Sequence, residues 1–121
     1  MDRFDFEQLD AFVVATDMVV CIDAIAQALP AGRGYMRDQL RRAANSVPLN
    51  ITEGAGEFAP AEKARFYRIA RRSATEVAAQ VLVAARLGAT HDADLQQAHQ
   101  LLRRLVSMLV RMAANPERRA T

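Results

Sequence analysis

Residues 95–112 read LQQAHQLLRRLVSMLVRM. Leu95, Ala98, Leu102, Leu105, Leu109 and Met112 recur at steps of three and four. That spacing lays them along one stripe of an α-helix, as in a coiled-coil seam. Leu101, Val106, Met108 and Val110 widen the stripe beyond a single seam. Such a helix is stable only when other helices cover it, so its neighbours in the chain decide the fold. Its predicted span is residues 92–114, closed by Asn115-Pro116.

Working backwards, Gly88 is a natural stop for a helix that opens at Pro60 and runs to Leu87. Phe66, Ile69, Ala70, Val77, Val81 and Ala84 form its inward face, with Arg65, Arg68, Arg72 and Arg86 opposite. A further helix is expected over Tyr35–Glu53, ended by Gly54 and Gly56, with Met36, Leu40, Ala43 or Ala44, Val47 and Ile51 inward. Pro48 sits inside that pattern. It leaves the Ala44 carbonyl without its usual amide partner, and a kink is expected there. The first helix is expected over Asp5–Leu29, broken by Pro30, Gly32 and Gly34. Its stripe includes Phe6, Leu9, Phe12, Val13, Met18, Ile22 and Ile25, with Val14 and Val20 off it. Four helices with short links predict an all-α, antiparallel up-down four-helix bundle over residues 1–115. Residues 116–121 are predicted to be a disordered tail.

Composition agrees with one such domain. The 121 residues are 51% hydrophobic, with Trp absent. A chain of this size buries roughly two-thirds of the surface it exposes when unfolded. Cys21 is the only cysteine, which excludes an intrachain disulfide and a cysteine metal cluster. The N-terminus carries Asp2 and Asp5, the wrong charge for a secretory signal. The apolar run 11–20 is interrupted by Thr16 and Asp17, short of a membrane span. A cytoplasmic protein with no membrane partner is the expectation.

Charge is sorted along the chain although its net value is only +2. Residues 1–30 carry Asp2, Asp5, Glu7, Asp10, Asp17 and Asp23 against Arg3 alone. Residues 61–91 carry Lys63, Arg65, Arg68, Arg71, Arg72 and Arg86 against Glu62 and Glu76. Nearly all the bases are Arg, whose planar fork suits carboxylate and phosphate alike. The basic helix therefore meets either the acidic first helix, within or between subunits, or a polyanion.

Catalytic and metal signals are missing. No Glu is followed three residues later by His, and His91 and His99 both belong to the last helix region. Neither lies in a nucleophile motif, and the paired glycines follow no strand. No enzyme activity, cofactor or metal is expected. The informative segment is Gln39–Gly54. Arg42, Ser46, Asn50 and Glu53 step by four, four and three, making a polar stripe, which Ser73 and Glu76 of the next helix could face. Two readings stand: a polar network that fixes helix packing around Pro48, or a ligand or partner site.

The same segment carries a resemblance. Leu29-Pro30, Gln39-Leu40-Arg41-Arg42-Ala43-Ala44, Ser46-Val47-Pro48, Asn50-Ile51 and Glu53-Gly54, continued by Arg65-Phe66, Ile69-Ala70-Arg71, Ser73-Ala74, Glu76 and Leu87-Gly88, resemble the four-helix bundle family first met as proteins encoded in intervening sequences of bacterial large-subunit ribosomal RNA genes. The match runs over nearly the whole chain. It implies a ring-like homopentamer. It also implies kinship with the accessory protein of diversity-generating retroelements, which binds a reverse transcriptase and nucleic acid. Three departures stand out. Glu57-Phe58-Ala59 replaces the family's usual basic residues after the Glu-Gly turn, Arg72 replaces a common Gly, and Phe12 stands near the place of a Trp.

Two functions follow. One is a non-enzymatic, self-assembling accessory protein that binds nucleic acid, structured RNA above DNA, through Arg65, Arg68, Arg71, Arg72, Arg103 and Arg104. The other is an oligomeric protein-interaction module without nucleic acid, in which the basic helix pairs with the acidic helix of a neighbour. A reverse transcriptase or another protein is a candidate partner in either case.

Overall fold

A computed structural model of the chain describes residues 3–117. It contains a short 3-10 turn, Asp5–Gln8, and four α-helices: α1 (Asp10–Ala28), α2 (Gly34–Gly56), α3 (Pro60–Arg86) and α4 (Asp92–Ala114). Among the described residues there is no strand. Each helix touches its two cyclic neighbours, so α1 and α3 occupy opposite corners, as do α2 and α4. Cross-helix pairs run in opposite directions along adjacent helices. Asp23 meets Arg41 while Ala26 and Leu29 meet Arg37. Likewise Ser46 meets Ser73 while Gly54 meets Lys63. This is the pairing of antiparallel neighbours. Residues 118–121 of the predicted tail lie outside the described residues.

The core is one cluster of apolar side chains from all four helices, with Met18, Ile22, Leu40, Val47, Ile51, Val77, Leu102, Leu105 and Leu109 fully buried. The predicted inward faces of α2 and α4 are the buried ones, including both Ala43 and Ala44, with Leu95 half-buried near the start of α4. Two predicted faces hold in part: Met18, Ile22 and Ile25 of α1 and Ala70, Val77, Val81 and Ala84 of α3 are buried as expected, and the differences lie in the N-terminal halves. In α1, Val14 is buried and Val13 exposed, the reverse of the expectation. In α3, Tyr67 is buried and Phe66 and Ile69 are half-buried. Val13 and Val14 in α1, and Phe66 and Tyr67 in α3, are adjacent apolar residues, so periodicity alone does not fix which of each pair turns inward.

Helix ends also differ from expectation, each for a local reason. The first helix starts at Asp10, because Leu9 is extended and the preceding turn is tied off by Glu7 accepting the Phe4 amide at 2.7 Å. Phe6 bridges Phe4 and Phe12 there, at ring separations of 5.4 and 5.0 Å. Helix α2 continues through Pro48 and also through Gly54 to Gly56, three residues beyond the predicted end. Its last carbonyls are held by Lys63, whose Nζ donates to Gly54 and Ala55 at 3.1 Å. Helix α3 ends as predicted near Gly88, which adopts φ +73°. The amides of Gly88 and Ala89 return to the carbonyls of Ala85 and Ala84, the paired bonds of a Schellman turn.

Helix α1 has the length and apolarity of a membrane span, with a mean hydropathy of 1.7 over its window. Its residues Ala11, Ala15, Met18, Ile22 and Ala26 are spent on the bundle core. Asp17 and Asp23 lie on its exposed side.

Candidate functional site

The polar stripe on α2 condenses to a smaller group. Ser46 and Ser73 share a hydrogen bond between their hydroxyls at 2.9 Å. Asn50 donates its amide to the Ser46 carbonyl at 2.8 Å and to the Ser46 hydroxyl at 3.0 Å. These three side chains are half-buried and tie α2 to α3 just where Pro48 interrupts the backbone ladder. Arg42 and Glu53 are exposed and take no part in the trio. Glu76 is also exposed and accepts from Gln80 at 3.3 Å on its own helix. The stripe is thus legible as a motif, but only its middle converges.

One turn below the trio, α2 and α3 come unusually close. A Cβ placed on Gly54 would stand 2.5 Å from Cε1 and 2.8 Å from Cδ1 of Tyr67. Gly54 is there to admit the ring, not to end the helix. Burial pushes the Tyr67 hydroxyl pKa above its ordinary value.

The predicted basic face divides in the structure. Arg65 is engaged by Glu62, with bonds from Nε and Nη2 at 3.1–3.3 Å, and lies 4.4 Å over the Phe66 ring. Arg68 and Arg72 are exposed and Arg71 is half-buried. None of these three guanidiniums has a hydrogen bond or ion pair with another described residue. On α4, Arg103 and Arg104 are both exposed but separate in direction, since successive helical positions project about 100° apart. Arg103 turns toward α3. It lines an open groove of about 380 Å³ with Thr75 and Ala78 of α3 and His99, Leu102, Val106 and Ser107 of α4. Arg104 is not part of that groove.

Residues the sequence reading passed over complete this surface. Thr75 follows Arg71 by one turn on the same face of α3, while Arg72 projects about 100° away toward solvent. The Thr75 hydroxyl donates to the Arg71 carbonyl at 3.0 Å, which leaves its lone pairs outward. Ser107 accepts from Arg111 at 2.8 Å, which keeps its own proton free to donate. Only the antiparallel register of α3 on α4 brings Thr75 opposite Arg103 and Ser107. No pattern within either helix announces it.

The acids lie elsewhere. Glu62 is bonded to Arg65 and Glu76 lines a different groove, between α2 and α3, with Tyr35, Met36 and Val83. Asp92 and Asp94 occupy the first turn of α4. Asp94 lies toward α1, where, after burial, it is the second cause that raises the Cys21 thiol pKa. The acidic residues of α1 are at the opposite corner of the bundle from α3. Among the described residues no three His, Cys, Asp or Glu side chains gather as a metal-holding group.

The family model described as 23S rRNA-intervening sequence protein matches residues 7–111. No curated protein matches the chain.

Proposed function

Since the chain belongs to the 23S rRNA-intervening sequence protein family, four helices and all, we propose that it is a non-enzymatic, self-assembling accessory protein that binds structured RNA through arginines of α3 and α4. The observation that carries this reading is the set of guanidiniums of Arg68, Arg71, Arg72 and Arg103, none of which is paired with a carboxylate among the described residues. Unpaired arginines on one face repel each other and favour a polyanion that neutralises several at once. Each neutralised phosphate releases condensed cations, so binding weakens as salt rises.

Fluorescence anisotropy with a hairpin RNA at about 50 and about 200 mM salt tests it. Binding that falls by about 0.7–0.9 log unit per log unit of salt for each phosphate contact supports the reading. No binding at the lower salt refutes it. Replacing Arg68 and Arg72 with Glu abolishes binding and leaves the helical content unchanged.

Self-assembly has its own support. Val20 is 71% exposed and Phe58 97% exposed, and Val13, Leu49, Leu82, Val83 and Val110 are also largely exposed. Val13 and Val20, two turns apart on one face of α1, are the pair that a neighbouring subunit would cover. The ring-like homopentamer is the proposed assembly. Light scattering that returned the monomer mass of 13.4 kDa at micromolar concentration would contradict it.

A second reading, an interaction module without nucleic acid, is favoured by the opposite-corner placement of the acidic and basic helices. They cannot meet within one bundle, but the face of α3 in one copy can meet α1 in the next, a head-to-tail contact that closes into a ring. Under that reading the Arg68 and Arg72 reversals dissociate the oligomer. A reverse transcriptase or another protein is the proposed partner in both readings.

A further inference from the structure

We propose that the groove between α3 and α4 is a seat for an unpaired stretch of nucleic acid, with phosphates met by Arg103, and by Arg71 one turn before Thr75, and a base on the floor of Ala78, Leu102 and Val106. This rests on the nucleic-acid reading above and goes beyond it by naming the place, the strand state and the residues.

Three features of the groove argue for that occupant. Arg103 lines the groove and no carboxylate does. Glu62 is held by Arg65, Glu76 lies in the α2–α3 groove, and Asp92 and Asp94 are at least five positions before His99 on α4. The floor is apolar, being made of Ala78, Leu102 and Val106. A bare phosphate or polyphosphate gains nothing from such a floor, whereas the flat face of a base does. Between rim and floor stand groups that read polar edges. Thr75 presents only lone pairs, because its proton is given to the Arg71 carbonyl. Ser107 presents its proton, because Arg111 donates to its oxygen. His99 adds an exposed imidazole at one end.

The strand state follows from the shape. The groove runs along two packed helices, from His99 to Ser107, on the order of 12 Å at the helical rise. Bases paired in an A-form helix turn their faces inward to stack on one another and cannot reach a floor between helices. Loops and ends expose those faces. Structured RNA would therefore be engaged at its unpaired segments, and stacking on aromatic rings would have little part, since no aromatic side chain lines the groove.

Arg103 and Arg104 supply the test. They are adjacent, identical and both exposed, and only Arg103 lines the groove. The probes are an oligouridylate of about twelve nucleotides, a duplex RNA of equal charge and a polyphosphate of equal charge. Affinity and its salt dependence are measured for the wild type, Arg103→Ala and Arg104→Ala, with helical content and oligomer mass as controls. The expected result is tightest binding to oligouridylate. Arg103→Ala should weaken it roughly tenfold and lower the salt slope by about 0.7, with Arg104→Ala changing neither. Equal loss in the two variants overturns the groove while leaving the nucleic-acid reading standing. Polyphosphate or duplex binding as tightly as oligouridylate overturns the strand and base assignment. Should the wild type bind neither oligouridylate nor a hairpin at low salt, the nucleic-acid reading itself fails.

Discussion

Replacing Gly54 with Ala puts a methyl group where the Tyr67 ring stands. The added Cβ lies 2.5 Å from Cε1, 2.8 Å from Cδ1 and 3.1 Å from Cζ. Contacts that short force either the ring or the helix to move. The ring has little room, because Tyr67 is buried in the core cluster. Overpacking of this kind costs about 1–3 kcal/mol. Against it stands the helical gain of Ala over Gly, roughly 0.5–1 kcal/mol, since Gly54 lies within α2. The expected net loss is therefore about 1–2 kcal/mol. Urea unfolding followed by circular dichroism at one fixed protein concentration measures it, since association shifts apparent stability. The control is Tyr67→Leu, which removes the ring. In that background Gly54→Ala should cost nothing or stabilise, giving a coupling of at least about 1 kcal/mol in the double-mutant cycle. A neutral or stabilising Gly54→Ala in the wild type would refute the close approach, and Gly54 would then revert to an ordinary helix terminator.

Three further outcomes are expected. Arg37→Met should cost about 1–2 kcal/mol in urea unfolding, because Nε and Nη2 of Arg37 donate at 2.9 Å to the carbonyls of Ala26, which otherwise holds only the 3.3 Å bond from the Leu29 amide, and of Leu29, the residue that caps α1; no loss would show that water replaces the clamp. Asn50→Ala should cost about 1 kcal/mol, at the low end for a hydrogen-bonded amide because the site is half-buried, and an unchanged midpoint would remove the trio from the packing account. Tyr67 has its hydroxyl pKa raised by burial, so folding retains a proton that the unfolded chain releases near pH 10; its contribution is complete below that pH and is lost as pH climbs through the folded value, and Tyr67→Phe should flatten the alkaline limb of the stability profile.

The helices were the legible part of the sequence, and α4 most of all. Its seam steps by three and four, and five of the six seam residues are buried, with Leu95 half-buried. Rotation was harder to read where adjacent residues are both apolar. Val13 and Val14 are equally hydrophobic neighbours, and only the position of α2 and α4 decides which of them faces inward. Gly54 misled for a related reason. A glycine near a helix end suggests a stop, but this one answers to a ring thirteen positions later in the chain, on the facing helix. The polar stripe was legible as a list of residues and not as a contact. Ser46, Asn50 and Ser73 converge, while Arg42, Glu53 and Glu76 reach solvent.

Charge followed the same division between what lies along one helix and what needs two. The excess of arginine on α3 is plain from composition, yet composition treats Arg65, Arg68, Arg71, Arg72, Arg103 and Arg104 as equals. Packing makes them unequal. Arg65 is occupied by Glu62, and Arg104 turns away from α3. Arg103 lines a groove whose floor is made of core-flanking apolar groups, with Arg71 one turn before Thr75 on its other wall. Because α1 and α3 stand at opposite corners, the acidic residues of α1 are held away from this groove within one bundle. In an assembly the same acids are what a neighbour would offer to it. Under the two proposed readings nucleic acid and a second subunit would compete for the same arginines, and the RNA reading requires that the assembled contact leave the α3–α4 groove open. An oligomer whose mass is unchanged by Arg103→Ala while oligouridylate binding falls would place the subunit contact elsewhere, on the exposed valines of α1 and α4 or the Leu82–Val83 edge of α3.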